Sequence, residues 1–267
     1  KADVNDPIRR QVVPTIFETQ FTPTESNDPL SEINHSPFPR LIHRYDNRVA
    51  LLVSDFCATY CRHCFRRRFT AKQDAIVTDD ELIHICEYLS THTQIKEMLL
   101  TGGDPLMVNN KRLEHIIGTI RESRSDLVLR LCTRIPATFP QRVSIDLISM
   151  LKKFSSAPIV VMTQFNHVRE ITAESKRAVS LFVENGFPLF NQTVLLRGVN
   201  DNVETLVSLM NTLVSIKVKP YYLFQGDMVE GTSHVRLPLD RAIEIEEQLR
   251  RNLSGLAMPV VAVDLPN

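Results

Sequence analysis

Two hydrophobic periods alternate along the chain from residue 48 onward. Short apolar runs occupy 49–54, 97–101, 127–133, 158–164, 189–195 and 220–225, and 260–263 is a seventh candidate. The stretches between them carry apolar residues at helical spacing. These are Leu82, Ile83, Cys86 and Leu89 in 79–89, Leu113, Ile116, Ile117 and Ile120 in 113–121, and Ile145, Leu147, Ile148 and Leu151 in 144–154. The stretch 173–184 follows Thr172, a predicted N-cap, and stops at Asn185-Gly186 with Pro188 behind it; 202–216 and 239–249 complete the series. Strands that alternate strictly with helices pair in parallel through right-handed crossovers. Because the runs are mostly apolar, both faces of the sheet are expected to be covered. The predicted fold class is α/β, a partial TIM-like barrel of six β/α units, with a doubly wound open sheet as the competing arrangement. Residues 1–47, punctuated by Pro7, Pro14, Pro23, Pro29, Pro37 and Pro39, read as an irregular N-terminal arm that wraps a barrel domain of 48–267.

In either architecture chemistry gathers at the C-terminal ends of the strands. There the sequence puts Cys57, Cys61 and Cys64 after the first run and Gly102-Gly103-Asp104 after the second. Arg134 follows the third, Gln164 to His167 the fourth, Arg197 the fifth and Asp227 the sixth.

Charge and length narrow the surroundings. Lysine and arginine number 31, as do aspartate and glutamate, so net charge gives no reason to expect a nucleic acid or an anionic membrane as partner. No apolar run approaches the ~18 residues of a membrane span. The polar opening has no signal-peptide core, and a cytoplasmic protein is expected. The absent initiator methionine and the ending at Asn267 read as a segment of a longer protein.

Three of the five cysteines fall within eight residues, as Cys57-Ala-Thr-Tyr-Cys61-Arg-His-Cys64. Without a secretory signal, such clustering points to metal or redox ligands. Cys86 and Cys132, among apolar neighbours, read as buried inert thiols. The spacing lets three thiolates take three corners of a four-iron cluster. With no fourth cysteine nearby, one iron stays open to a ligand. Structural zinc is the alternative, with His63 as fourth ligand, but His63 adjoins Cys64 and joint tetrahedral ligation is awkward.

This motif resembles the signature of the radical S-adenosylmethionine (SAM) superfamily, and Gly102-Gly103-Asp104-Pro105 looks like its glycine-rich motif. The resemblance implies a radical SAM barrel with a [4Fe-4S] cluster on Cys57, Cys61 and Cys64. The open iron would chelate SAM, an electron donor would reduce the cluster, and SAM cleavage would give a 5′-deoxyadenosyl radical. Absent side chains at Gly102 and Gly103 would let the backbone approach the SAM amino-acid end. A wider set is similar to the lysine 2,3-aminomutase family, from about Asp28 to the last residue. It comprises His43-Arg44-Tyr45, Arg48, the segment from Cys61 to Phe69, Arg134-Ile135-Pro136, Phe165-Asn166-His167, Asn191-Gln192, Arg197-Gly198-Val199-Asn200 and Lys219-Pro220-Tyr221-Tyr222.

That family moves an amino group from C2 to C3 of an amino acid with pyridoxal 5'-phosphate (PLP) as second cofactor. The resemblance implies PLP-phosphate contacts at Arg44, Tyr45 and Arg48, and arginine suits a phosphate because its fork bonds two oxygens. It implies Arg66 on the substrate carboxylate, Asp104, Gln192 and His167 near SAM, and Asp227 with Asp264 on a distal ammonium. Two converging carboxylates repel unless a cation sits between them, which favours lysine, then ornithine or arginine, over glutamate. Gln164 stands where the family has histidine. The region around Asn200 has no cysteine for an intersubunit zinc. The lysine that anchors PLP is expected beyond Asn267, so the segment alone is expected to be inactive. A homo-oligomer is expected at full length.

Other readings remain. Arg66, Arg67 and Arg68 form a solvated basic patch or an RNA contact, which would suit an RNA-modifying radical enzyme. Asp227 and Asp264 merely end strands. The related branch that supplies β-lysine to modify elongation factor P is the nearest alternative within the family.

Overall fold

The computed structural model describes residues 3–72 and 75–265. One eight-stranded sheet runs in sequential order: β1 (Leu41–Tyr45), β2 (Arg48–Ser54), β3 (Glu97–Gly102), β4 (Val128–Cys132), β5 (Ile159–Thr163), β6 (Leu189–Val194), β7 (Lys219–Phe224) and β8 (Val260–Ala262). The helices are α1 (Pro7–Val12), α2 (Asp79–Thr91), α3 (Asn110–Ser123), α4 (Ile135–Thr138), α5 (Ile145–Lys152), α6 (Ala173–Glu184), α7 (Val203–Ser215) and α8 (Leu239–Asn252). β1 folds back antiparallel on β2, and each later neighbour pairs in parallel. The helices begin where polar side chains meet free backbone N–H groups: Thr78, Asn109, Ser144, Thr172 and Asn202 each cap one. None of the described helices is long and apolar enough to cross a membrane.

The six apolar runs and the seventh candidate become β2 to β8, a partial barrel. Among the described residues no ladder joins β8 back to β1. Instead Arg44 on β1 donates to the Leu265 carbonyl just beyond β8. β1 itself falls where the pattern put the arm, because its five residues mix apolar Leu41 and Ile42 with His43, Arg44 and Tyr45.

The expectation that both sheet faces are covered is corrected. Met98, Leu100, Leu129, Leu131, Ile159, Val161, Leu189 and Leu223 form one core with the helices. The alternate positions Leu99, Thr101, Cys132, Met162, Gln192 and Phe224 line a cavity on the concave side. Period two therefore separates core from cavity on the same strands. Two helical positions also differ: Ile83 and Ile145 are 53% and 71% exposed, and in α2 Ile85 takes the core place beside Leu82 and Leu89.

Candidate active site

The cavity is lined at one side by Cys57, Cys61, Cys64, Gly102, Gly103 and Asp104, and elsewhere by Arg44, Tyr45, Arg48, Arg66, Gln192 and Asp264. Arg44 and Asp264, 220 positions apart in sequence, thus share one space, since the strand ends and the hairpin converge on it.

The cysteine loop is seated on the glycine loop with no slack. Gly103 N–H donates to Ser54 O at 2.6 Å and Asp104 N–H to Phe56 O at 2.9 Å. A Cβ on Gly102, whose φ is +110°, would lie 2.6 Å from Ser54 O, and one on Gly103 would lie 2.3 Å from Phe56 O. These glycines are needed first for the approach of two protein segments. Asp104 ties this layer to β4. It accepts from Thr133 Oγ1 at 2.7 Å, Arg134 N at 2.7 Å and Leu106 N at 3.0 Å. Burial pushes its carboxyl up to about 6 against those bonds.

Two of the thiols, Cys57 and Cys64, are held back from ionising. Burial pushes Cys64 up to about 11, with Cys61 adding to it, and burial then Asp104 and the two other cysteines push Cys57 well up. Three thiolates in one enclosure need compensating positive charge, and a coordinating metal centre deprotonates a thiol outright. Among the described residues no three His, Cys, Asp or Glu side chains converge on a single ion. Three cysteine thiols bordering one cavity are the kind of donor an iron–sulfur cluster takes. His63 is held neutral, its ring pushed down to about 3 by burial and then Arg134. Its Nε2 meets Gln164 Nε2 at 3.0 Å, so it is a support of the loop.

The arginines after Cys61 face inward. Arg66 is held by Glu32, Nη2 to Oε1 at 2.8 Å, and donates from Nη1 to Thr101 Oγ1 at 2.8 Å. Arg68 pairs with Asp28 at 3.1 Å and Glu32 at 3.2 Å. Arg62 and Arg67 both pair with Glu18, Arg67 at 2.6 Å. Three acids of the N-terminal arm, Glu18, Asp28 and Glu32, thus pair with the four arginines of this run. Arg66 still lines the cavity beside Glu32, a carboxylate that no motif or spacing singles out.

Around the hairpin, Arg44 lies 5.5 Å and Arg48 3.7 Å from the Tyr45 ring centroid. Among the described residues Arg44 Nε is buried without a partner, an orphan donor that suits an anionic phosphate. Asp227 and Asp264 line an adjoining cavity with Asp28 and Arg236, and Asp264 borders both cavities. Burial, then Asp264, pushes Asp227 up to about 7.

His167 and Cys132 differ in their relation to the cavity. His167 does not line the cavity; its Nδ1 accepts from Arg169 N at 3.1 Å and caps the turn Val168–Glu170. Cys132 does line it, with its thiol pushed up to about 12 by burial. Arg134, which reaches Cys61 Sγ at 2.7 Å, is a further site residue, signalled in the sequence by its place at a strand end and by the Arg134-Ile135-Pro136 segment of the family resemblance.

Residues 51–210 match the radical SAM superfamily. The chain is 44% identical over 264 residues to L-lysine 2,3-aminomutase of Clostridium subterminale, covering 99% of this chain and 63% of that protein. It is 40% identical over 265 residues to the putative L-lysine 2,3-aminomutase of Aquifex aeolicus, covering 99% of this chain and 71% of that protein. It is 38% identical over 264 residues to glutamate 2,3-aminomutase of Clostridioides difficile, covering 99% and 62%. In fold it is similar to a radical SAM methyltransferase from Sphaerobacter thermophilus, with a TM-score of 0.58 at 16% identity over 84% of this chain and 68% of that one.

Proposed function

Since the chain belongs to the radical SAM superfamily and, within it, to the lysine 2,3-aminomutase family, we propose that the protein moves the 2-amino group of L-lysine to C3. It spans 63% of the length of the first curated relatives, so this activity is a reading of the whole protein. When bound, the cluster supplies an electron to SAM and PLP holds the substrate amine and delocalises an unpaired electron beside it.

This chain's own residues then have separate tasks. Cys57, Cys61 and Cys64 bind three irons and leave the fourth for SAM. Gly102 and Gly103 keep the cysteine loop against β3, and Gln192 borders the same space. Arg44 and Arg48 bind the PLP phosphate, with Tyr45 between them. Arg66, oriented by Glu32 and Thr101, presents its remaining N–H groups to the substrate carboxylate.

The observation that carries the substrate is the acidic pair. Asp227 and Asp264 line one cavity, both partly buried; burial and then Asp264 raise the cost of ionising Asp227, and among the described residues neither is ion-paired. A distal ammonium relieves that repulsion, whereas the side-chain carboxylate of glutamate adds to it.

The test is anaerobic reconstitution of the full-length protein with iron, sulfide, SAM and PLP, followed by assays on lysine, ornithine, arginine and glutamate. About four irons per chain and fastest turnover of lysine are expected. Uptake of zinc alone, or preference for glutamate, overturns the reading.

A further inference from the structure

Arg134 is anchored from three directions. It is 8% exposed. Its Nη1 donates to Cys61 Sγ at 2.7 Å, and its Nη2 donates to Glu170 Oε1 at 2.6 Å and to Gln11 Oε1. Its backbone N–H is fixed by Asp104 at 2.7 Å. Glu170 cannot swing away, because its Oε2 accepts from Asn166 N at 2.6 Å and His167 N at 2.8 Å. Gln11 belongs to α1, outside the residues that match the superfamily. Its Oε1 also accepts from Asn166 Nδ2 at 2.9 Å, and its carbonyl accepts from Arg62 N at 2.8 Å, between Cys61 and Cys64.

We propose that Arg134 tunes the reduction potential of the cluster through Cys61, with Gln11 and Glu170 holding the guanidinium in place. The proposal rests on the reading that the three cysteines carry the cluster. A cationic N–H on a ligating sulfur withdraws electron density from it, and hydrogen bonds to the sulfurs are among the levers that set such potentials. The reduced cluster carries one more negative charge, so a cation in contact favours it. Glu170 works the other way, since its carboxylate offsets part of the arginine's charge. Removing Arg134 and neutralising Glu170 therefore shift the potential in opposite directions. A scaffold role for the two residues predicts no such opposition.

The experiment is an EPR-monitored redox titration of the anaerobically reconstituted protein without SAM, with iron content measured for each variant. Arg134→Gln is expected to keep its iron and to hold about tenfold fewer reduced clusters at a given potential, a midpoint about 59 mV more negative for a one-electron couple. Arg134→Lys, which keeps the charge, falls between it and wild type. Glu170→Gln moves the midpoint to less negative values, and Gln11→Ala moves it in the Arg134→Gln direction by less. An unchanged midpoint in iron-replete Arg134→Gln overturns the proposal. So does a shift of Arg134→Gln and Glu170→Gln in the same direction, or loss of iron from both Arg134 variants. A wild-type protein that takes up no cluster defeats the cluster reading instead, which separates the two failures.

Discussion

At the cysteine side of the cavity most polar groups meet protein partners, with Arg134 Nε and His63 Nδ1 the exceptions among the described residues. Asp104 accepts three hydrogen bonds, Arg134 spans Cys61, Glu170 and Gln11, and two glycines bring backbone against backbone. Around the hairpin and the acidic pair the opposite holds. Among the described residues Arg44 Nε has no partner, and Asp227 and Asp264 have no counter-ion. The first side is arranged before any ligand arrives. On the proposed reading the second carries charges that a ligand would complement, a cost in stability that binding would recover.

The largest effect is expected on the tightly fitted side. Gly103→Ala sets a Cβ 2.3 Å from Phe56 O and 2.7 Å from Phe56 N, and neither backbone atom can yield without moving the cysteine loop. Overpacking of this kind costs about 1–3 kcal/mol or more. Iron content after reconstitution should drop to a small fraction of wild type, and a variant with full iron would show that the loop has slack.

The next effect is on the charged side. Asp264→Ala is expected to lower kcat/KM for lysine by roughly 30- to 150-fold, about 2–3 kcal/mol, while SAM cleavage chemistry persists. Turnover that survives this change and Asp227→Ala removes the acidic pair from substrate recognition. Asp227 also sets a pH dependence. Its folded value of about 7 lies above the ordinary 3.8, so between those values the folded state binds a proton that the unfolded chain has released. Its contribution to stability is therefore present below about pH 4 and lost as pH rises to about 7. Urea unfolding across this range should show that fall in the substrate-free protein and not in Asp227→Asn. Lysine affinity should rise over the same range, because the ionised pair is the form that grips a cation.

Arg44→Gln should weaken PLP binding about tenfold, for the loss of one charge-assisted bond, read by absorbance titration. Unchanged affinity would move the phosphate site elsewhere. The smallest effect is expected from His167→Ala, less than about twofold on SAM affinity, since the ring serves a surface turn. A larger loss would return His167 to the site.

The strands after β1 were legible because each is an apolar run bounded by turn residues. The cysteine and glycine motifs were legible because their chemistry is local. The partners of those motifs were not. Arg134 meets Cys61 from 73 residues away, Gln11 meets Arg134 from 123, and Glu32 meets Arg66 from 34. Such pairings are products of the topology, and no spacing rule encodes them. His167 shows the converse error: a polar residue at a strand end lay in the expected place, yet a short turn had a nearer use for its ring. The cavity-facing positions were misread for a related reason, since Leu99, Met162 and Phe224 are apolar whether they face helices or an open space.

The alternation along the strands insulates folding from chemistry. Leu129 and Leu131 belong to the packed layer, while Cys132 next to them belongs to the cavity. The same holds for Leu223 and Phe224. A change at a cavity position alters what the site can hold and leaves the layer that supports it intact. One scaffold can thereby try successive substrates without first rebuilding itself, and relatives named for lysine and for glutamate, at 44% and 38% identity to this chain, are what such a division of labour would produce.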